Sequence, residues 1–208
     1  EVPARYITQG LEETGSVNLV TGMILTYRAF DTFGETTVLF IATCCVMILL
    51  MVENEGKRRK LKLDDYGLEP LEDTVLKKVA KVVCPVIFLF GIYIILNGHL
   101  SPGGGFSGGA VIGAGMILYA ASFGFPRTQR FFNEKIYVIV KVTALLLYGL
   151  IALHFFYTGA NGLEHLFPLG EPGAILSGGI ILPINICVGT EVACTIYAFY
   201  ALFRRGGL

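Results

Sequence analysis

Charge is scarce in this chain of 208 residues: Asp, Glu, Lys and Arg make up 15% of it, against 54% hydrophobic residues and a mean hydropathy of +0.66. That scarcity excludes an ordinary solvated domain and places the sequence in the membrane class. The 16 basic and 16 acidic residues cancel, so no excess of positive charge points to nucleic acid. Metal-binding cysteine spacing is missing too. Cys44, Cys45, Cys84, Cys187 and Cys194 contain no CxxC pair, which leaves them as packing residues and offers no framework for a metal or redox centre. No cofactor is expected. Inverted internal repeats and paired broken helices are also lacking, which weighs against an independent small-molecule carrier. Position 1 is Glu1 rather than methionine, and the first thirty residues are only patchily apolar. Both suggest upstream sequence, either removed as a signal segment or belonging to a longer gene product.

Long apolar runs, by contrast, are abundant. A spanning helix takes roughly 20 mostly apolar residues, and five such runs can be read: Phe33–Val52, Val79–Leu96, Ser107–Phe125, Ile136–Tyr157 and Gly178–Phe203. The expected fold is all-α and integral to the membrane, with about five transmembrane helices. Lys and Arg gather in connections on alternate sides. Lys57, Arg58, Arg59, Lys60, Lys62, Lys77 and Lys78 lie in one, Arg127, Arg130 and Lys135 in another, and Arg204 and Arg205 in the tail. The stretches Asn97–Phe106 and Thr158–Gly173 hold neither. Because such residues favour the cytoplasmic side, the expected orientation is multi-pass with a cytoplasmic C-terminus, the basic clusters facing anionic lipid of the bilayer.

The stretch "NGHLSPGGGFSGGAVIGAG", from Asn97 to Gly115, is dense in glycine. A phosphate-binding loop needs GxxxxGK followed by Ser or Thr, and no Lys or Arg occurs between Asn97 and Phe125. Gly105, Gly109 and Gly113 recur every fourth residue, forming one smooth helical stripe that lets another backbone approach. Gly103 and Gly104 precede the stripe and break the helix at its start. Ser101 and Pro102 read as a helix cap followed by a first-turn proline.

Ionisable groups inside spans are functional candidates by default. Glu191 lies thirteen residues before Arg204, ~20 Å from the cytoplasmic charges and near mid-bilayer. Lys141 lies six residues past Lys135, only ~9 Å above the basic end. A direct pair would have to close ~10 Å of height, so a water chain or separate partners are expected. Asn185 could offer a carbonyl oxygen to a hard cation or bridge helices. His99 and His154 titrate near neutrality, with interfacial hydrogen bonds as their simpler role; His154 is expected to face lipid headgroups or a partner chain. Lys81 reads as an interfacial anchor. Thr32 and Glu35 match a capping box, Arg28 and Asp31 stand three apart and could pair, and Asp31 and Glu35 could attract cations to an outer mouth. Glu164, His165 and Glu171 read as exposed loop residues. The candidate ion path therefore comprises Glu191, Lys141, Asn185, His99, His154, Asp31 and Glu35, with no metal site.

Two motifs carry a family likeness. "GHLSPGGGFSGG" and "LPINICVGTEVACTIYAFYAL" resemble the MnhB family, the B-type component of Mrp-type sodium/proton antiporters and its counterpart in membrane-bound hydrogenases. "VNLVTGMILTYRAFDTFGETTVLFIA" resembles the C-terminal part of MrpA, the large component of the antiporter, a part that stands as a small separate subunit in hydrogenase-type complexes. The resemblance implies an MbhE-like module over 1–55 with one span, a charged cytoplasmic linker over 56–78 and a four-helix MnhB-like module over 79–208. It further implies a non-catalytic membrane subunit in a prokaryotic cell membrane, coupling Na+ and H+ movement. Its partners would be long antiporter-like subunits, small C-, E-, F- and G-type subunits and a hydrogenase-like redox arm. The short first module favours the redox-linked version. A scaffold with no ion of its own is the alternative.

Overall fold

In the computed structural model, residues 2–55, 74–163 and 166–205 are described. Two short helices, α1 (Val2–Thr8) and α2 (Gly10–Thr14), lead to α3 (Leu19–Gly22), which continues into a π-helical turn, Met23–Tyr27. Asn18 starts α3, its Oδ1 accepting from the Val20 and Thr21 amides at 3.2 and 3.4 Å. After Arg28 come the first long helix α4 (Ala29–Glu55), then α5 (Thr74–Leu96), α6 (Gly105–Phe123), the single turn α7 (Phe125–Thr128), α8 (Glu134–Asn161) and α9 (Ile181–Arg205). Five of these, α4, α5, α6, α8 and α9, are long and apolar enough to cross a membrane, as expected.

Most ends differ from the sequence reading by several residues, for local reasons. The fifth helix begins at Ile181 because Gly178 and Gly179 adopt left-handed φ of 84° and 54°. The second begins at Thr74, so 74–78 belong to it rather than to the linker. The remaining linker residues, 56–73, together with Glu164 and His165, lie outside the described residues.

α9 forms the centre of the bundle. It packs on α6, α8, α4 and α5 and is the most buried of the five long helices. Its N-terminal half joins Leu25, Tyr148, Ile180, Ile181, Ile184 and Val188 in one core cluster; its C-terminal half joins Tyr137, Cys194, Ala198 and Leu202 in another. Small residues set the α6 contact. A Cβ placed on Gly109 would stand 2.5 Å from the Gly189 carbonyl oxygen, and one on Gly105 2.7 Å from that of Asn185. Gly113 likewise meets Ile196 of α9. Without a hydrophobic drive between helices in lipid, such close backbone approach is what holds them.

Candidate functional site

The site lies where α4, α8 and α9 meet. Lys141 and Glu191 are both buried, with side-chain exposures of 3% and 1%, and Nζ stands 3.5 Å from Glu191 Oε1. The direct pair that straight-helix heights disfavoured is therefore formed. The Lys141 ammonium also donates to Thr195 Oγ1, one turn past Glu191, at 3.1 Å. The rings of Phe40 and Tyr137 flank the ammonium at 5.4 and 5.6 Å from their centroids, close enough for cation–π attraction. Two opposite charges removed from water require each other. Their separation exceeds the ~2.8 Å of a tight charge-assisted hydrogen bond, and neither Glu191 oxygen has a hydrogen-bond partner among the described residues. The carboxylate thus keeps acceptor capacity for a proton or a cation.

A column of buried hydroxyls runs along α4, the helix that also carries Phe40 to the Lys141 ammonium. Thr32, Thr36 and Thr43 are fully buried and share one face by helical spacing. Their hydroxyls bond carbonyls of their own chain: Thr32 to Ile24 at 3.2 Å, Thr36 to Phe33 at 2.9 Å and Thr43 to Leu39 at 2.9 Å. The Tyr148 hydroxyl donates to the Ala29 carbonyl at 2.9 Å, at the start of α4. The sequence reading missed this column, although threonine recurring at helical spacing inside an apolar run was its visible signal. Thr32 and Glu35 do not form a capping box. α4 already begins at Ala29, so the Thr32 hydroxyl turns back to the wide π turn, where Ile24 offers its carbonyl. Glu35 and Asp31 are exposed, and Asp31 pairs with Arg28, Nε to Oδ2 at 2.6 Å.

The Gly-rich turn lies apart from the ion pair, at the end where the chain starts. α6 begins at Gly105, not at Pro102, and Gly103 and Gly104 take φ of 142° and 137°. The cap comes from another helix: Asn185 Oδ1 of α9 accepts from the Gly105 amide at 2.9 Å. Ser101 sits before the turn, its hydroxyl on the Asn97 carbonyl at 3.2 Å. The carbonyls of this turn dock the N-terminal segment. Ser16 Oγ and the Asn18 amide donate to the His99 carbonyl at 2.9 and 3.0 Å, Thr21 Oγ1 to that of Gly98 at 2.8 Å and Asn18 Nδ2 to that of Ser101 at 2.9 Å. A cleft of about 440 Å³ remains between them, lined by Thr21, Leu25, Pro102, Gly104, Phe106 and Asn185 among others.

His99 is fully buried, and its Nε2 lies 2.9 Å from the Ala174 carbonyl. His154 turns to its own chain, Nε2 accepting from the Leu166 amide at 3.4 Å. Neither joins the pair. Beyond the spans, Arg5 Nη2 meets Glu13 Oε1 at 2.7 Å, and the Tyr27 hydroxyl donates to Glu13 Oε2. Hydrogen bonding from Arg5 and then Tyr27 holds the Glu13 carboxyl below its usual value, while burial and the facing carboxylate push Tyr27 up to about 12. Among the described residues no three His, Cys, Asp or Glu side chains group as metal ligands.

Five apolar helices, three of which meet at a buried lysine–glutamate pair, define a multi-pass membrane protein with ionisable groups in its interior. Residues 75–198 match the family model described as "Domain related to MnhB subunit of Na+/H+ antiporter", and residues 1–54 match the MbhE family model, which describes the E-type component of MBH. The chain belongs to the MnhB family. Over 197 residues it is 32% identical to an uncharacterised protein of Methanocaldococcus jannaschii, covering 84% of this chain and 72% of that one. It is 34% identical over 95 residues to the B-type component of the Na(+)/H(+) antiporter of Bacillus subtilis, covering 46% of this chain and 66% of the relative. Among solved structures, the membrane-bound sulfane sulfur reductase, an archaeal respiratory membrane complex, contains a chain similar at a TM-score of 0.77 and 30% identity, covering 98% of this chain and 84% of that one. The Mrp complex from Dietzia contains another at 0.74 and 27%, covering all of this chain but 23% of its own.

Proposed function

We propose that this chain is a membrane subunit of a multisubunit Mrp-type Na+/H+ antiporter module working within a redox-driven ion-pumping complex. Its own contributions are helix packing and a segment of the ion path. One observation carries the path: a lysine and a glutamate buried together between three spanning helices, with free carboxylate acceptor capacity. Intramembrane ionisable pairs mark proton relays and ion pathways. In this reading Glu191 alternately holds a proton or a cation and shares Lys141, while Thr32, Thr36 and Thr43 lead to it from the outer end. Glu35 supplies negative charge at the outer mouth, where the Asp31 carboxylate is held by Arg28. Asn185, His99 and His154 hold loops and helix ends instead. The basic connections support a cytoplasmic C-terminus.

Coverage of most of the sulfane sulfur reductase chain, against under a quarter of the Mrp-complex chain, supports the redox-linked setting. The partners are then long antiporter-like subunits, small membrane subunits and a redox arm. Affinity capture of a tagged chain from gently solubilised native membranes, followed by mass spectrometry, tests this. Antiporter-like subunits together with iron–sulfur or nickel–iron proteins are expected. Antiporter subunits alone would remove the redox setting, and a chain recovered by itself would overturn the reading.

A further inference from the structure

At the end of the bundle opposite the Gly-rich turn, α5 and α6 enclose a groove of about 210 Å³. Cys84, Phe88, Tyr119 and Phe123 form apolar walls, and Lys81 and Arg127 also line it. Pro85 widens the chemistry here, since a proline inside α5 withdraws the amide that would bond the Lys81 carbonyl. Lys81 stands seven residues past Thr74, ~10 Å inside the helix rather than beyond its end. It is exposed among Val79, Val82 and Val86, which are 51%, 69% and 60% exposed. A cation at that position faces lipid, and its stem can extend toward the headgroups.

Arg127 approaches from the α6–α8 connection, its guanidinium 5.3 Å from the Phe123 ring centroid. Neither cation has a carboxylate partner among the described residues, whose ion pairs lie elsewhere. Two cations with no carboxylate partner among the described residues, above an apolar, aromatic groove that opens onto an exposed apolar helix face, match one class of ligand: a negatively charged headgroup with an acyl chain attached. Basic pockets between spanning helices recognise headgroups in this way. We propose that this groove binds an anionic phospholipid, Lys81 and Arg127 holding its phosphate while the Cys84, Phe88, Tyr119 and Phe123 walls take one chain. An acidic protein segment would satisfy the charges but would leave the apolar groove behind them unused.

Native mass spectrometry of the intact detergent-solubilised complex, titrated with phosphatidylglycerol or phosphatidylcholine of identical chains, reads the site directly. The wild type is expected to prefer phosphatidylglycerol. The double change Lys81→Gln and Arg127→Gln should cut that preference about 30-fold, roughly fivefold per charge. Lys81→Arg should keep it, and Lys78→Gln with Arg130→Gln, which neutralises neighbouring cations outside the groove, should largely keep it. The same spectra report the composition of the complex, so a lost preference in an unaltered assembly is not misfolding. No preference in the wild type, or equal loss in both neutralised pairs, would overturn the proposal.

Discussion

Lys141 and Glu191 are each costly alone inside a bilayer and mutually dependent once buried. Glu191→Ala strands an ammonium beside two aromatic rings and should destabilise by ~3–5 kcal/mol, whereas replacing both residues by methionine should come out roughly neutral. Thermal denaturation of the solubilised complex compares the two, and equal losses would mean that the pair is not coupled. A second residue-scale prediction concerns Arg5, Glu13 and Tyr27. Glu13 is depressed in the fold, so its contribution exists above the usual value of 4.5 and fades as pH falls through the lower folded value. Tyr27 is raised, so its contribution exists below 10.0 and fades as pH rises toward about 12. Protection of α1 and α2 amides from hydrogen exchange, corrected for intrinsic rates, should therefore hold between these limits and drop outside them. Sequence reasoning could flag Lys141 and Glu191, because charge within an apolar run is conspicuous. It could not pair them, because counting residues along idealised parallel helices leaves out the reach of a lysine stem and how the two helices are set against each other.

Among the helices, the glycine stripe was readable and the helix cap was not. A four-residue repeat announces a smooth face from sequence alone. The Gly105 amide, however, is satisfied by Asn185, 80 residues away, and no local signal connects them. Nor did the sequence disclose that α4 starts at Ala29 after a π turn; the Thr32 and Glu35 spacing suggested a start at Phe33, four residues later. Packing along the stripe predicts a contrast. Gly109→Ala drives a Cβ to 2.5 Å from the Gly189 carbonyl, and overpacking of this kind costs ~1–3 kcal/mol. Gly159→Ala in α8 meets nothing within 4 Å and should be neutral or stabilising by up to ~1 kcal/mol. Melting temperatures of the two variants decide it; similar effects would contradict the close α6–α9 contact.

Across the molecule as a whole, the five spans and the family were legible because apolar length and the SPGGGF and RAFDTFGE motifs survive without any tertiary information. How the two matched segments hold together was not legible, since the bonds run from Ser16, Asn18 and Thr21 to backbone carbonyls of the Gly-rich turn, and a carbonyl carries no sequence signature. Cutting the chain at a protease site placed within 56–73 should therefore leave both pieces copurifying, while Asn18→Ala with Thr21→Ala should loosen them. Separation of the unsubstituted pieces would contradict that docking.

Whether the buried pair lies on an ion path is decided by Glu191→Gln, because glutamine keeps an oxygen for Lys141 while removing the titratable charge. The measurement is sodium-dependent proton transfer in vesicles holding the assembled complex, with the composition of the complex checked on the same preparation. Transfer should be abolished while the complex stays intact. Wild-type transfer in that intact variant would take Glu191 off the ion path and leave the chain as a scaffold.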